Sequence, residues 1–337
     1  MPPSIMLGRI ILQRCGASRM RRFARFWRQG EARARYDPGD PPPMNNATEG
    51  LSGIAACLGA ALVWSSGGLF IKQIDLPPLE IALGRGLAAG GFFLVLWMSP
   101  RRRCSLAPGA ARVASLSVAL TMVLFVLATK WTTAAAAIFL QSTAPAWVLI
   151  LGWLARDVRP TGADVAAVIG CGSGLALFFV GGFEGTGLWG SLAALASGVA
   201  FAVHMISMRE VAAEQQVPVF ACGNLLTAAI AAALAATGLV DSVVGQSGAF
   251  TVPSVPDVVR LLFLGVGQIG LGYVLFAFGI RRLPPLQVSL LVLLEPILNP
   301  VWVLFGTGEA PGIWALIGGS IVLVTLASHS VARHLGR

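Results

Sequence analysis

Ten runs of about 20 apolar residues follow one another through the chain. They lie near residues 52–73, 78–98, 110–129, 132–154, 162–181, 187–208, 217–238, 257–279, 286–306 and 312–331. An α-helix of that length, rising about 1.5 Å per residue, crosses a hydrocarbon core of about 30 Å. Charged residues make up only 12% of the chain against 56% hydrophobic ones. That leaves too few ionisable groups to cover a water-soluble surface, which needs about a quarter. The alternating segments of about 10 residues that build a membrane β-barrel are absent. The sequence therefore predicts an all-α integral membrane protein with ten transmembrane helices.

The net charge of +9 raises the question of nucleic acid, and its distribution answers it. Nine arginines fall within the first 35 residues, against Glu31, Asp37 and Asp40, so the tail accounts for six of the nine charges. The rest sits between apolar runs. Arg101–Arg103 with Arg112, then Arg156 and Arg159, Arg209, and Arg281–Arg282 follow the even-numbered runs, whereas Lys72 and Lys130 close odd ones. Positive loops mark the cytoplasmic side, so both termini are expected inside the cell and no nucleic-acid partner is expected. Residues 1–50 form a separate cytoplasmic region: either a disordered tail in which Met20–Trp27 can lie on lipid as a basic amphipathic helix ahead of the linker Pro38–Met44, or an upstream stretch before a translation start at Met44. Five scattered cysteines and three histidines give neither a disulfide framework nor a metal spacing. No metal or cofactor is expected.

An internal repeat accounts for the count of ten. Phe139–Trp147 followed by Arg156–Pro160 echoes Leu294-Glu-Pro296 followed by Gly308–Pro311, and aligning Pro145 with Pro296 brings the acidic turns into near-register. The two units are 51–182 and 183–331, with 332–337 a short cytoplasmic tail. Five crossings is an odd number, so the halves must be inverted, an arrangement of secondary transporters whose solute site lies near the midplane.

Taken together, these residues resemble the drug/metabolite transporter superfamily, specifically a tandem EamA-type transporter, over about residues 52–331. Trp64-Ser-Ser-Gly-Gly-Leu-Phe-Ile-Lys72 is similar to that family's first-span opening, Arg85 to an arginine of its second span, and Leu294-Glu-Pro296 and Thr307-Gly-Glu309 to its second-repeat signatures. The first repeat departs from the pattern, with Leu154-Ala-Arg-Asp157 and Thr143-Ala-Pro145. The resemblance implies export or exchange of a small organic metabolite, an amino acid or related solute, across a bacterial inner membrane. Protons are a candidate coupling ion. Neither the solute nor the oligomeric state can be read from it.

Glu295 falls about ten residues into its run, roughly 15 Å deep. An ionised carboxylate there costs about 2.5–3.5 kcal/mol, so it must face the bundle interior or a wet cavity. Two readings stay open: binding an amine or proton, or bonding to a carbonyl freed by Pro296 or Pro300. Arg85, about 12 Å deep by the same rise, can pair with Glu295, bind a substrate carboxylate, or snorkel to the outer interface. Trp64, Gln141, Trp147, Asn224, Gln268, Tyr273 and Asn299 are candidate cavity liners, each with helix packing as the alternative. Pro145, Pro296 and Pro300 are candidate bending points. Glu80 reads as a helix-start charge, His204 as interfacial, and Trp302 as one of several tryptophans at span ends. Gly86 with Gly90 and Gly170 with Gly174 have the spacing of closely packed helices.

Rival chemistries are poorly served. Gly245-Gln-Ser-Gly248 matches the string of a serine intramembrane protease but lies in a polar loop without a suitably placed histidine. Asp157 and Asp164 fall in a loop rather than facing each other within the membrane. No phosphate-binding loop or zinc-helix motif occurs. The chain is expected not to be an enzyme; the alternatives are an intramembrane enzyme and a membrane sensor or assembly subunit.

Overall fold

A computed structural model describes residues 47–98, 109–154, 161–180, 187–208, 210–238, 251–280, 282–283, 288 and 291–335. Most of the arginine-rich tail, the loop arginines apart from Arg112 and Arg282, Asp157, and the Gly245–Gly248 string lie outside these residues.

Among the described residues every regular element is helical. They are α1 Ala47–Ser65, α2 Gly67–Gln73, α3 Pro78–Trp97, α4 Ala110–Trp131, α5 Ala134–Gln141, α6 Ala144–Leu154, α7 Gly162–Val180, α8 Leu188–Met208 and α9 Gln216–Thr237. There follow α10 Val255–Leu262, a π-helical stretch Phe263–Leu271, α11 Gly272–Gly279, α12 Leu294–Thr307 and α13 Ile313–Leu335, and one 3-10 turn, Ala213–Gln215. Helices fall in all ten predicted segments: α1–α2 form the first, α5–α6 the fourth and α10 to α11 the eighth. Eight segments are long and apolar enough to cross a membrane; the fifth has only the shorter apolar stretch Gly162–Leu177. The ninth is described as the 14-residue α12.

Local chemistry sets the boundaries. Pro78 opens α3, where its missing N–H is not needed. The Thr133 hydroxyl accepts from Ala136 N–H and starts α5. Gly308, at φ 76°, ends α12 in the left-handed region that other residues adopt at a cost. The eighth segment departs from the regular helix expected over 257–279. Its middle is wound in the wider π form, which is uncommon and marks functional or strained sites.

The packing has a two-fold pattern. Segment three packs on six as one packs on eight; four packs on six as nine packs on one; three packs on seven as eight packs on two. Adding five to each number, counted around ten, converts the first member of every pair into the second. Three pairs map onto themselves: four with nine and, more extensively, two with seven and five with ten. The crossings two–seven and five–ten are where the sequence places its small residues. A Cβ on Gly86 would stand 2.8 Å from Asn224 O and 2.9 Å from Ala228 N, and one on Gly90 would meet Leu225. A Cβ on Gly170 would meet Thr325, and one on Gly174 would lie 2.7 Å from Gly318 O. The buried core is rich in alanine throughout, so backbones approach closely where lipid supplies no hydrophobic drive between helices.

Three sequence expectations change. His204 is buried, not interfacial: its Nδ1 lies 3.4 Å from Ala114 O and its ring packs near Phe201 and Phe220. Trp302 turns inward and donates its indole N–H to Ser65 Oγ at 2.9 Å, because the ninth segment packs directly on the first. Asp164 sits in the first turn of α7 and is buried, with its carboxylate on Thr161 and on His329 Nε2 at 2.8 Å. Glu80 does occupy the first turn of α3, where it accepts from Thr251 N–H.

The close approach at Gly86 is against backbone, which cannot step aside. Gly86→Leu is expected to destabilise the detergent-solubilised protein by about 1–3 kcal/mol through overpacking. Gly91→Leu, with nothing within 4 Å of its Cβ, is expected to leave it unchanged. Thermal unfolding followed by size-exclusion recovery measures both.

Candidate functional site

The site begins with a break in the first segment. The hydroxyls of Ser65 and Ser66 turn back onto Leu62 O and Val63 O, both at 2.7 Å, and the helix is interrupted at Ser66. Serine back-bonding of this kind bends helices. After the break, Gly67 and Gly68 have no side chain to hold neighbours off. A Cβ on Gly67 would come within 2.4 Å of Gln268 Nε2, and one on Gly68 within 2.5 Å of Asn299 Oδ1. The eighth and ninth segments therefore bring an amide each against the first.

Gln268, in the π-helical stretch, bridges two groups. Its Nε2 donates to Trp64 O at 3.0 Å, and its Oε1 accepts from Arg85 Nη2 at 2.8 Å. The carbonyl of Trp64 can only accept and the guanidinium can only donate, so the amide has one orientation. Arg85 itself is only 4% exposed. It does not snorkel to the interface. Its Nε and Nη1 are buried and have no hydrogen-bond partner among the described residues. A charged donor left unpaired away from water is costly, by about 1–3 kcal/mol or more per group.

Glu295 occupies the first turn of α12. The ninth segment is interrupted at Leu293, so the carboxylate stands at a helix N-terminus, where the positive end of the peptide dipoles favours an anion. Its side chain is only partly buried. Arg85 and Glu295 lie near enough for their opposite charges to act on each other. Arg85 and Glu295 are nevertheless not within the 4 Å of an ion pair; the three ion pairs among the described residues lie elsewhere. The direct pairing that similar depths permit is not formed.

The prolines act differently from one another. Pro296 lies in the first turn of α12 and Pro145 in that of α6, positions whose N–H groups have no intrahelical partner. Only Pro300 is inside its helix, where it removes the bond to the carbonyl of Pro296. The break at Leu293 and the break at Ser142–Thr143 both begin three residues before a proline, Pro296 and Pro145. The two repeats thus interrupt corresponding helices at corresponding places, and only the second puts a carboxylate after the break.

The remaining candidates divide. Trp64 packs on Tyr273, with ring centroids 5.1 Å apart, and on Phe276 at 5.2 Å, and Tyr273 continues to Phe220 at 4.3 Å. Asn224 donates to Phe220 O at 2.8 Å and sets its backbone against Gly86; its Oδ1, like that of Asn299, is buried without a partner among the described residues. Trp64 and Asn299 adjoin the Gln268 contact at the break, Tyr273 reaches it through Trp64, and Asn224 lies at the two–seven crossing. Gln141 stands apart: its Nε2 donates to Ser197 Oγ at 2.7 Å, and Ser197 passes the chain to Thr121 O at 3.1 Å, a packing link between segments four, six and three. Trp147 Nε1 is buried without a partner among the described residues, so no hydrogen bond there joins it to the Arg85 group. Sequence reasoning passed over Ser65 and Trp302, whose bond locks segment nine to segment one beside the break. A tryptophan within reach of a small polar pair was the only signal available.

The EamA-like transporter family matches the chain twice in tandem, over residues 51–180 and 188–329. The chain belongs to that family. No curated protein sequence matches it. A solved crystal structure, described only as that of a protein, superposes with a TM-score of 0.55 at 20% identity, covering 85% of this chain and 98% of the other. That likeness shows the fold.

If Gln268 holds the guanidinium, Gln268→Leu leaves a third buried donor unpaired and is expected to cost about 1–3 kcal/mol. Arg85→Leu with Gln268→Leu is expected to cost less than the two single losses summed, by more than about 0.5 kcal/mol. A double-mutant cycle in thermal stability reads that coupling; additive losses would separate the two residues.

Proposed function

We propose that this member of the EamA-like transporter family is a secondary transporter of the inner membrane that exports or exchanges a small organic metabolite, an amino acid or related solute. The observation that supports the reading is a guanidinium buried among helices whose Nε and Nη1 have no partner among the described residues. A bundle this apolar gains nothing in stability from such a charge. A carboxylate on the solute would accept from one of these nitrogens and from the second hydrogen of Nη2, the adjacent pair that makes the bidentate contact in which arginine excels.

Glu295 supplies the opposite charge and takes the solute's amine or a proton. Its place at an internal helix N-terminus fits the broken-helix sites of inverted-repeat transporters. The ten segments are then ten spans, arranged as two inverted units with both termini in the cytoplasm, as the loop arginines indicate. Transport proceeds by the two repeats rocking about the Arg85–Glu295 level, so that the site faces one side and then the other. No cofactor and no chemical conversion enters.

Purified protein in liposomes, offered a panel of radiolabelled α-amino acids, tests this. Uptake is expected in the parent and at least about tenfold lower in Arg85→Gln, a loss of about 1.4 kcal/mol or more. Glu295→Gln is expected to abolish the stimulation by a pH gradient if the carboxylate carries the proton. Counterflow unaffected by the gradient would assign the alternative, proton-independent exchange. Full flux in Arg85→Gln would overturn the assignment of the anion site.

A further inference from the structure

Two motif residues take no part in the site just described, Lys72 and Glu309, and the fold brings them together. Lys72 Nζ lies 2.7 Å from Glu309 Oε2 and donates to Thr132 O at 2.8 Å. Glu309 Oε1 accepts from Ala134 N–H at 2.8 Å. Each charge therefore holds a second group that helix geometry leaves without a partner: Thr132 O lies just past the end of α4, and Ala134 N–H is the first of α5. Lys130 completes the arrangement by donating to Ile74 O at 2.7 Å, just past the end of α2. The first and third segments thus cap one another's carbonyl ends with lysines, the charge that a helix C-terminus favours.

Glu309 is the only second-repeat residue in this group. The turn Thr307-Gly308-Glu309 is built to deliver it. Thr307 Oγ1 donates to Val303 O at 2.9 Å and accepts from Glu309 N–H at 3.3 Å, and Gly308 takes φ 76° to turn the chain. The contact closes the end of the bundle at which the odd-numbered segments finish, the side that the loop arginines assign to the cell exterior. The side chains of Lys72 and Glu309 keep 17% and 25% of their surface. Water at the mouth can therefore replace the contact when it opens, which a fully buried pair would not allow.

We propose that Glu309 is the latch of the external gate, tying the end of segment nine to segments one and four, and that it must release Lys72 and Ala134 for a solute to pass on that side. This rests on the transporter reading, but its test needs no solute. Ser65 is fully buried between segments one and nine, about 10 Å below Lys72 at the helical rise. Ser65→Cys, in a background with the five native cysteines replaced, reports separation of those segments.

The probe is a membrane-impermeant maleimide applied from outside to intact cells. Modification is expected to be slow with Lys72 and Glu309 in place and about tenfold or more faster in Lys72→Gln or Glu309→Gln, as for the loss of a charged hydrogen bond. The exchange Lys72→Glu with Glu309→Lys is expected to slow it only in part, because it restores the ion pair while a lysine at 309 cannot accept from Ala134 N–H and a carboxylate at 72 cannot donate to Thr132 O. If the single variants fail to elute as folded protein, about 1 M salt on the reporter alone decides, since it screens a partly exposed pair. Rates insensitive to both substitution and salt, or an increase seen only with reagent on the cytoplasmic side, would overturn the gate. The solute panel would stand or fall separately.

Discussion

A guanidinium inside an apolar bundle has to be held, and here the amide of Gln268 holds it. That amide is itself fixed by the carbonyl of Trp64, at the point where two serines and two glycines interrupt the first segment. Three segments from both repeats meet in this contact. The glycines are required by it, because a side chain at Gly67 would displace the amide. The π-helical winding places Gln268 here, and the neighbouring glycines let the eighth segment lie against Arg85, Phe92 and Trp64. Held by Gln268 alone among the described residues, Arg85 keeps Nε and Nη1 buried without partners.

The question of how an apolar run tolerates Glu295 has a structural answer. The run is not one helix. It breaks at Leu293, and the carboxylate falls in the first turn of the piece that follows, where peptide dipoles offset part of its cost. The same break occurs in the first repeat at Ser142–Thr143, followed by Ala144 in place of an acid. A symmetric scaffold thus carries an asymmetric charge set, with arginine from one half and glutamate from the other.

Much of the scaffold was legible in the sequence, because the constraints that build it are one-dimensional. Segment length against hydrocarbon thickness gave the helices, and odd-count repeats gave the two-fold arrangement. Small residues at four-residue spacing marked the crossings two–seven and five–ten, though not their partners. Arg85 and Glu295 stood out because intramembrane charge is expensive. What could not be read was contact over long separations. Gln268 is 183 residues from Arg85 and resembled any other buried amide. Trp302 and His204 were placed by depth alone, which says nothing of the face each presents. The π-helical winding leaves no periodic signature distinct from that of an α-helix over nine residues.

The account turns on whether the free edge of Arg85 faces a solute, and ligand-dependent stability measures that most directly. The purified protein is heated with α-amino acids, with the corresponding amines that lack the carboxylate, and with the corresponding acids that lack the amine. A ligand bound only by the folded state raises the midpoint in proportion to the logarithm of its concentration over Kd. At least one amino acid is expected to raise the midpoint of the parent, its amine analogue not to, and Arg85→Gln to erase the shift. Equal shifts for the amine and the amino acid, or a shift that survives in Arg85→Gln, would contradict it.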